Sequence, residues 1–260
     1  EGNVTVDVVE NVDLDKLICR DLVEPYETLL EETVVGRKIL VTGAAGSIGS
    51  ELCFQLSRLK PKHLVLLDNN EFGLFSIRRK LEAMRPCQSD GSDVILTFTL
   101  GSVTDASVVR GVLEDNAIDT VYHAAAFKHV SLVEENPIAG IKNNVFGTLE
   151  MIRAATASNV SRFILISSDK AVQSENVMGA TKRLCELMMQ VANEEVNPKI
   201  RFAAVRFGNV VASSGSVIPL FRSQIKKGGP VTVRHPDVTR YFMSVTEAAQ
   251  LVIQASGLIE

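Results

Sequence analysis

The sequence predicts an α/β fold, a doubly wound parallel sheet followed by a small C-terminal lobe. Three observations lead there. Apolar runs of four to seven residues alternate with segments of helical periodicity between Arg37 and Arg206. The runs are nearly continuous in apolar residues, as strands covered on both faces must be. A glycine-rich turn joins the first run to the first helical segment.

The elements follow in order. Residues 1–36 are acidic through Asp7, Glu10, Asp13, Asp15, Asp21, Glu24, Glu27, Glu31 and Glu32, yet carry Val4, Val6, Val8, Leu14, Leu17, Ile18 and Leu22. They read as an arm packing on the domain. Lys38–Val41 is the first strand. Ser47–Lys60 is a helix with Ile48, Leu52, Leu56 and Leu59 on one face. His63–Leu67 is the second strand, and Phe72–Met84 a helix ended by Pro86. Val94–Leu100 is the third strand, and Asp105 the N-cap of a helix running to Glu114. Thr120–His123 is the fourth strand, and one long helix runs from Pro137 to about Ser158. Arg162–Ile166 and Ile200–Arg206 complete the sheet. After Gly208, glycines and prolines punctuate the chain around one short helix near Ser216–Lys227, and Thr246–Ile259 is helical. Residues 37–206 thus form one domain, and 207–260 a partial lobe over the carboxyl edge of the sheet.

Composition sets bounds on function. Hydrophobic residues are 46% and charged residues 22%, as in soluble globular proteins. A net charge of −4 gives no general attraction to nucleic acid or anionic membrane, and there is no Trp to build a base-stacking platform. Cys19, Cys53, Cys87 and Cys185 are scattered, so metal or redox pairs are not expected and no metal is assigned. No apolar run approaches the roughly 18 residues of a membrane span. The N-terminus carries neither a basic leader nor an initiator Met, which suggests a piece of something longer.

The turn Thr42-Gly43-Ala44-Ala45-Gly46-Ser47-Ile48-Gly49 has the form G-x-x-G-x-x-G in a strand–turn–helix setting. Gly43 permits the tight turn, and Gly46 lets a pyrophosphate approach the backbone near Ala45. Gly49 lets the helix pack close to the sheet, with the helix N-terminus at Ser47 and Ile48 facing phosphate. Asp68 ends the second strand, where a carboxylate accepts from both hydroxyls of an adenosine ribose and repels a 2′-phosphate. NAD is therefore expected. Asp68 could equally cap the following helix.

These residues, with Lys182, resemble the extended short-chain dehydrogenase/reductase superfamily. His123-Ala124-Ala125-Ala126 leaves room for a nicotinamide ribose, and Asn144-Val145-Phe146-Gly147-Thr148 matches N-x-x-G-T. At Gly101-Ser102-Val103, Ser102 stands where many relatives carry the Asp that accepts from adenine. The superfamily's Tyr-x-x-x-Lys is here Met178-Gly179-Ala180-Thr181-Lys182, and methionine moves no protons. Either the site is a cofactor-binding relic, or its acid–base work has moved. Ser168-Asp169-Lys170, at the exit of the fifth strand, favours relocation over a solvated loop ion pair.

Ala124–Val130, Ser167–Val172, Asn176–Lys182, Arg206–Val210, Gly215–Phe221 and Thr239–Met243 are similar to bacterial UDP-N-acetylglucosamine 4,6-dehydratases of polysaccharide biosynthesis, the Met-x-x-x-Lys branch. That resemblance implies a Rossmann-like NAD-binding domain, a truncated substrate lobe, a UDP-sugar substrate and a homo-oligomer. The location it implies is the cytoplasm, or the cytoplasmic part of a membrane protein. By position, Ser168 would hydrogen-bond the C4 oxygen, Asp169 would be the acid for the C6 hydroxyl, and Lys170 the base for C5. Lys182 would hold the nicotinamide ribose, while Met178 packs. The acceptor of the C4 proton stays open, with Lys128 and His129 as candidates; Lys128 could instead hold pyrophosphate. Asn209, Ser216, Val217, Arg222 and Arg240 are candidates for binding the nucleotide sugar. Nucleotide-sugar epimerase and non-catalytic nucleotide-binding module are the alternatives.

Overall fold

The structure, a computed structural model, describes residues 24–87, 90–195, 200–211, 217–233, 237 and 239–259. Residues 1–23 of the arm, with Cys19, lie outside the described residues, as does Ser216.

Six parallel strands form the sheet: β1 (Lys38–Thr42), β2 (His63–Asp68), β3 (Ile95–Leu100), β4 (Thr120–His123), β5 (Arg162–Ile166) and β6 (Arg201–Val205), in the order β3-β2-β1-β4-β5-β6. This is the expected doubly wound arrangement, and it reverses direction between β1 and β4. Alternate residues serve opposite faces. Ile39 and Val41 of β1 belong to one core, and Leu40 to the other.

The first core lies under α1 (Glu27–Val34), α2 (Ser47–Arg58), α3 (Glu71–Met84) and α10 (Val245–Gly257), which contribute Leu30, Leu56, Ile77 and Val252 among others. The second lies under α4 (Ala106–Asp115), α7 (Gly147–Thr156) and α8 (Val177–Glu195), through Leu113, Met151 and Met189. Helix α1 puts Leu30 and Val34 into the first core. The terminal helix α10, which falls in the lobe if the chain is divided at residue 206, instead completes a helical layer of the main sheet. Its Ala249, Val252 and Ile253 share a core with Val41 and Ile164.

Local chemistry sets the helix ends. Asn70 Oδ1 caps α3 by accepting from Gly73 N at 3.0 Å. Asp105 caps α4 as expected, accepting from Ser107 N and Val108 N. The single helix expected after Pro137 is instead three segments: α6 (Pro137–Gly140), a π-helical Ile141–Phe146, and α7. The short α5 (Val130–Glu135) precedes them. The wide turn coincides with Asn144, whose side chain is committed across the molecule (below). Beyond β6, β7 (Asn209–Val210) pairs with β8 (Phe242–Met243), and α9 (Val217–Lys226) lies between them in the chain.

Candidate active site at the carboxyl edge

Where the strand order reverses, the carboxyl ends of β1 and β4 part into a cleft of about 240 Å³. Gly43, Ala45 and Gly46 line it from one side and Ala124, Ala125 and Ala126 from the other, with Asp68, Ser102 and Val103 from the neighbouring strands. The glycines are sterically necessary. Gly43 has φ +65°, and a Cβ there would lie 2.6 Å from Ala125 N. A Cβ on Gly49 would overlap the Gly43 carbonyl, which α2 approaches directly.

Asp68 closes the loop. Its Oδ2 accepts from Ala45 N and its Oδ1 from Asn70 N, both at 2.8 Å. The capping role open to Asp68 in the sequence falls to Asn70. No side chain caps α2 at Gly46, so the first turn of this 12-residue helix presents backbone N–H groups and positive dipole to the cleft. A Gly-walled cradle, a helix N-terminus and an acid at the end of β2 fit a dinucleotide. Ser102 sits at the cleft, its hydroxyl accepting from Thr104 N at 3.2 Å and paired with Thr104 Oγ1 at 2.8 Å.

Below the cleft runs a buried polar network. Thr148 Oγ1 gives its proton to Asn144 O at 2.6 Å, so it accepts from His123 Nε2 at 2.9 Å. His123 Nδ1 must then accept from Thr42 Oγ1 at 2.7 Å. Burial, helped by the charge of Lys182, pushes the pKa of His123 down to about 3 and keeps it neutral. Asn144 spans two elements: its Oδ1 accepts from Phe127 N at 2.8 Å, and its Nδ2 donates to Phe127 O and Thr181 Oγ1, both at 3.0 Å. It ties the loop carrying Ala124–Ala126 to α8.

Helix α8 presents the Met-x-x-x-Lys segment. Met178 is buried. Lys182 is buried too, and its Nζ donates to Ile166 O at 2.8 Å; burial lowers its pKa. Gly179 allows α8 to touch the Lys170 carbonyl, where any Cβ would collide.

The exit of β5 holds a hydrogen-bonded cluster of polar side chains. Ser168 Oγ donates to Asp169 Oδ1 at 2.9 Å, and Lys170 Nζ donates to the same oxygen at 2.9 Å and to Asn209 Oδ1 at 3.2 Å. Partial burial opposes the charge of Asp169. Hydrogen bonds from Lys170 and Ser168, with the charge of Lys170, prevail and hold the carboxyl below its usual range. Asp169 therefore rests as a carboxylate.

The structure brings together Ser168, Asp169, Lys170 and Asn209. Lys128 and His129 stand on the exposed loop before α5, where loss of water around the amine lowers the pKa of Lys128. Val217 and Arg222 lie half-buried on α9. Arg240 is exposed and turns its Nη1 onto Thr239 O at 2.8 Å. Residues given no role of their own from the sequence also build the site: Thr42, Asn144 and Gly179, which stand inside the quoted motifs, and Glu186, which lies four residues after Lys182 and so on the same helical face. No cluster of metal-ligating side chains occurs among the described residues.

The chain resembles known proteins over its whole length. It is 44% identical over 259 residues to the capsular polysaccharide biosynthesis protein CapD of Staphylococcus aureus, covering 100% of this chain but 42% of CapD. Among solved structures, Pen of Bacillus thuringiensis superposes with a TM-score of 0.77 at 32% identity, over 86% of this chain and 66% of Pen. DesIV of Streptomyces venezuelae, a dTDP-glucose 4,6-dehydratase solved with NAD, shares the fold with a TM-score of 0.71 at 21% identity, over 83% of this chain and 70% of DesIV. The chain thus spans less than half the length of the curated relative. Residues 39–260 match the model of the family described as polysaccharide biosynthesis protein, and the chain belongs to that family.

Proposed function

We propose that this chain is the cofactor-binding and proton-transfer part of an NAD-dependent nucleotide-sugar 4,6-dehydratase. Its substrate is a UDP-N-acetylhexosamine, foremost UDP-N-acetylglucosamine, and its product a UDP-4-keto-6-deoxy sugar. The observation that carries the reading is the series Ser168–Asp169–Lys170–Asn209 at the exit of β5, hydrogen-bonded in line, beside a buried Met178 that cannot move a proton.

NAD in the glycine-lined cleft, held by Asp68 and the α2 N-terminus, would take a hydride from C4 and return it to C6. The chain's own residues close the proton count. The hydroxyl of Ser168 takes the C4 hydroxyl proton while passing its own to Asp169 Oδ1 across the 2.9 Å bond. Asp169, now a carboxylic acid, protonates the C6 hydroxyl, which leaves as water. Lys170 first gives a proton of its ammonium to water; as the free amine it removes the C5 proton made acidic by the C4 ketone, then restores it to C5 as C6 is reduced. The route needs neither Lys128 nor His129 as acceptor. Lys128 is left for the pyrophosphate, with Val217, Arg222 and Arg240 for the nucleotide.

Full-length protein incubated with UDP-N-acetylglucosamine is expected to yield a product lighter by one water. An isomer of unchanged mass would support an epimerase instead, and no turnover with NAD retained would support a binding module. Lys170→Ala is expected to abolish turnover and leave NAD bound; near-normal activity would refute its role as base.

A further inference from the structure

Glu186 is 4% exposed, yet it is an acid. Its Oε1 accepts from Ser167 Oγ at 2.6 Å and from Arg206 Nε at 2.7 Å, and its Oε2 from Arg206 Nη2 at 2.5 Å and Arg183 Nη1 at 3.1 Å. Ser167 directly precedes the reactive series, and Arg206 lies just past the end of β6. The two exits are also stitched by backbone: Ser167 N donates to Val205 O at 2.8 Å and Asp169 N to Phe207 O at 3.1 Å. One turn earlier on the same face of α8, Lys182 grips Ile166 O. Two successive turns of α8 thus hold two successive residues at the end of β5.

We infer that Glu186 is a positioning residue: its buried carboxylate clamps the exits of β5 and β6 onto α8, and so sets where Ser168, Asp169, Lys170 and Asn209 stand relative to the cofactor cleft. Stability alone does not call for such a group. Burying a carboxylate costs free energy that apolar packing avoids, and a paired charge gives direction, which apolar packing does not. The clamp touches no reacting atom. It acts through Ser167 on one side and through Arg206 and the following Asn209 segment on the other. Small displacements of reacting groups cost large factors in rate.

The role as a positioner of this chemistry rests on the dehydratase reading; the clamp itself does not. In the full-length protein, Glu186→Gln keeps the shape and an acceptor for Ser167 but removes the charge facing Arg206 and Arg183. Its kcat for sugar dehydration is expected to fall at least about tenfold with KM within about threefold. Bound NAD should be unchanged. Amide hydrogen exchange should quicken in residues 167–170 and 206–209 but not in the glycine loop, 43–49. Glu186→Asp should recover part of kcat. Ser167→Ala, which removes one donor, should give the same signature more weakly and guards against a Glu186 variant that fails to fold. Unaltered exchange at both exits in the Glu186 and Ser167 variants overturns the clamp. Altered exchange with normal kcat overturns the positioning role. Wild-type protein that dehydrates no UDP-N-acetylhexosamine defeats the dehydratase reading and the positioning role with it, while the exchange comparison still decides the clamp.

Discussion

At the residue scale, charge states follow from burial and partners. His123 accepts from Thr42 and donates to Thr148, and its pKa of about 3 keeps it neutral. Nitrogen NMR should therefore show the Nε2–H tautomer with no titration of this ring between about pH 5 and 8. A titrating His123 would contradict the network. Glu186 behaves oppositely. Burial works to raise its pKa, but bonds from Arg206, Ser167 and Arg183 outweigh it and bring it from 4.5 to about 2. A depressed carboxyl contributes stability that is fully present above the unfolded pKa and is lost as pH falls through the folded one. The urea midpoint should thus drop between about pH 4.5 and pH 2 through this group, and Glu186→Gln should flatten that part of the profile. At Gly49, a methyl group has no space against the Gly43 carbonyl. Gly49→Ala should destabilise the fold by about 1–3 kcal/mol and release NAD, as measured by urea unfolding and by retained cofactor.

At the element scale, α8 is the organiser. It carries Gly179, Thr181, Lys182 and Glu186, which meet Lys170, Asn144, Ile166 and Ser167 in turn. Its start is held from outside: Glu134 Oε1 accepts from Val177 N at 2.5 Å, and Asn176 Oδ1 from Gly179 N at 2.8 Å. Gly179→Ala should push the helix off the Lys170 carbonyl. Turnover should fall more than NAD binding does, a split that steady-state kinetics and cofactor content will show. Helix α10 has an ordinary cap: Ser244 Oγ accepts from Glu247 N at 3.0 Å. Ser244→Ala should cost about 1 kcal/mol, readable by chemical denaturation. The strands and the helices over the first core were legible because their period is written in apolar residues. The break at Ile141–Phe146 was not: N-x-x-G-T has nothing in its own period to forbid an α-helix. The reason lies in Asn144's bonds to Phe127 and Thr181, which are distant in sequence.

At the scale of the whole molecule, one sheet separates two cores, and the second contains a run of tilted rings. Phe163 lies 5.7 Å from the His123 ring and 5.5 Å from that of Phe202. Phe163→Ala should cost about 3–5 kcal/mol in urea unfolding and disturb the neutral His123 beside it. Among the described residues no helix is long and apolar enough to cross a membrane.

The sequence by itself determined the layered fold, the glycine turn and the cluster after β5. Apolar period, glycine spacing and adjacent ionisable residues are local properties, and local physics reads them directly. Only the tertiary structure decided that Asn209 faces Lys170, that Asn70 rather than Asp68 caps α3, and that α10 belongs to the main sheet. It also decided that Glu186 joins two strand exits. Each of these depends on which side chains meet across the sheet's edge. Lys170 and Asn209 are 39 positions apart in the chain and 3.2 Å apart in space, and no periodicity encodes that meeting.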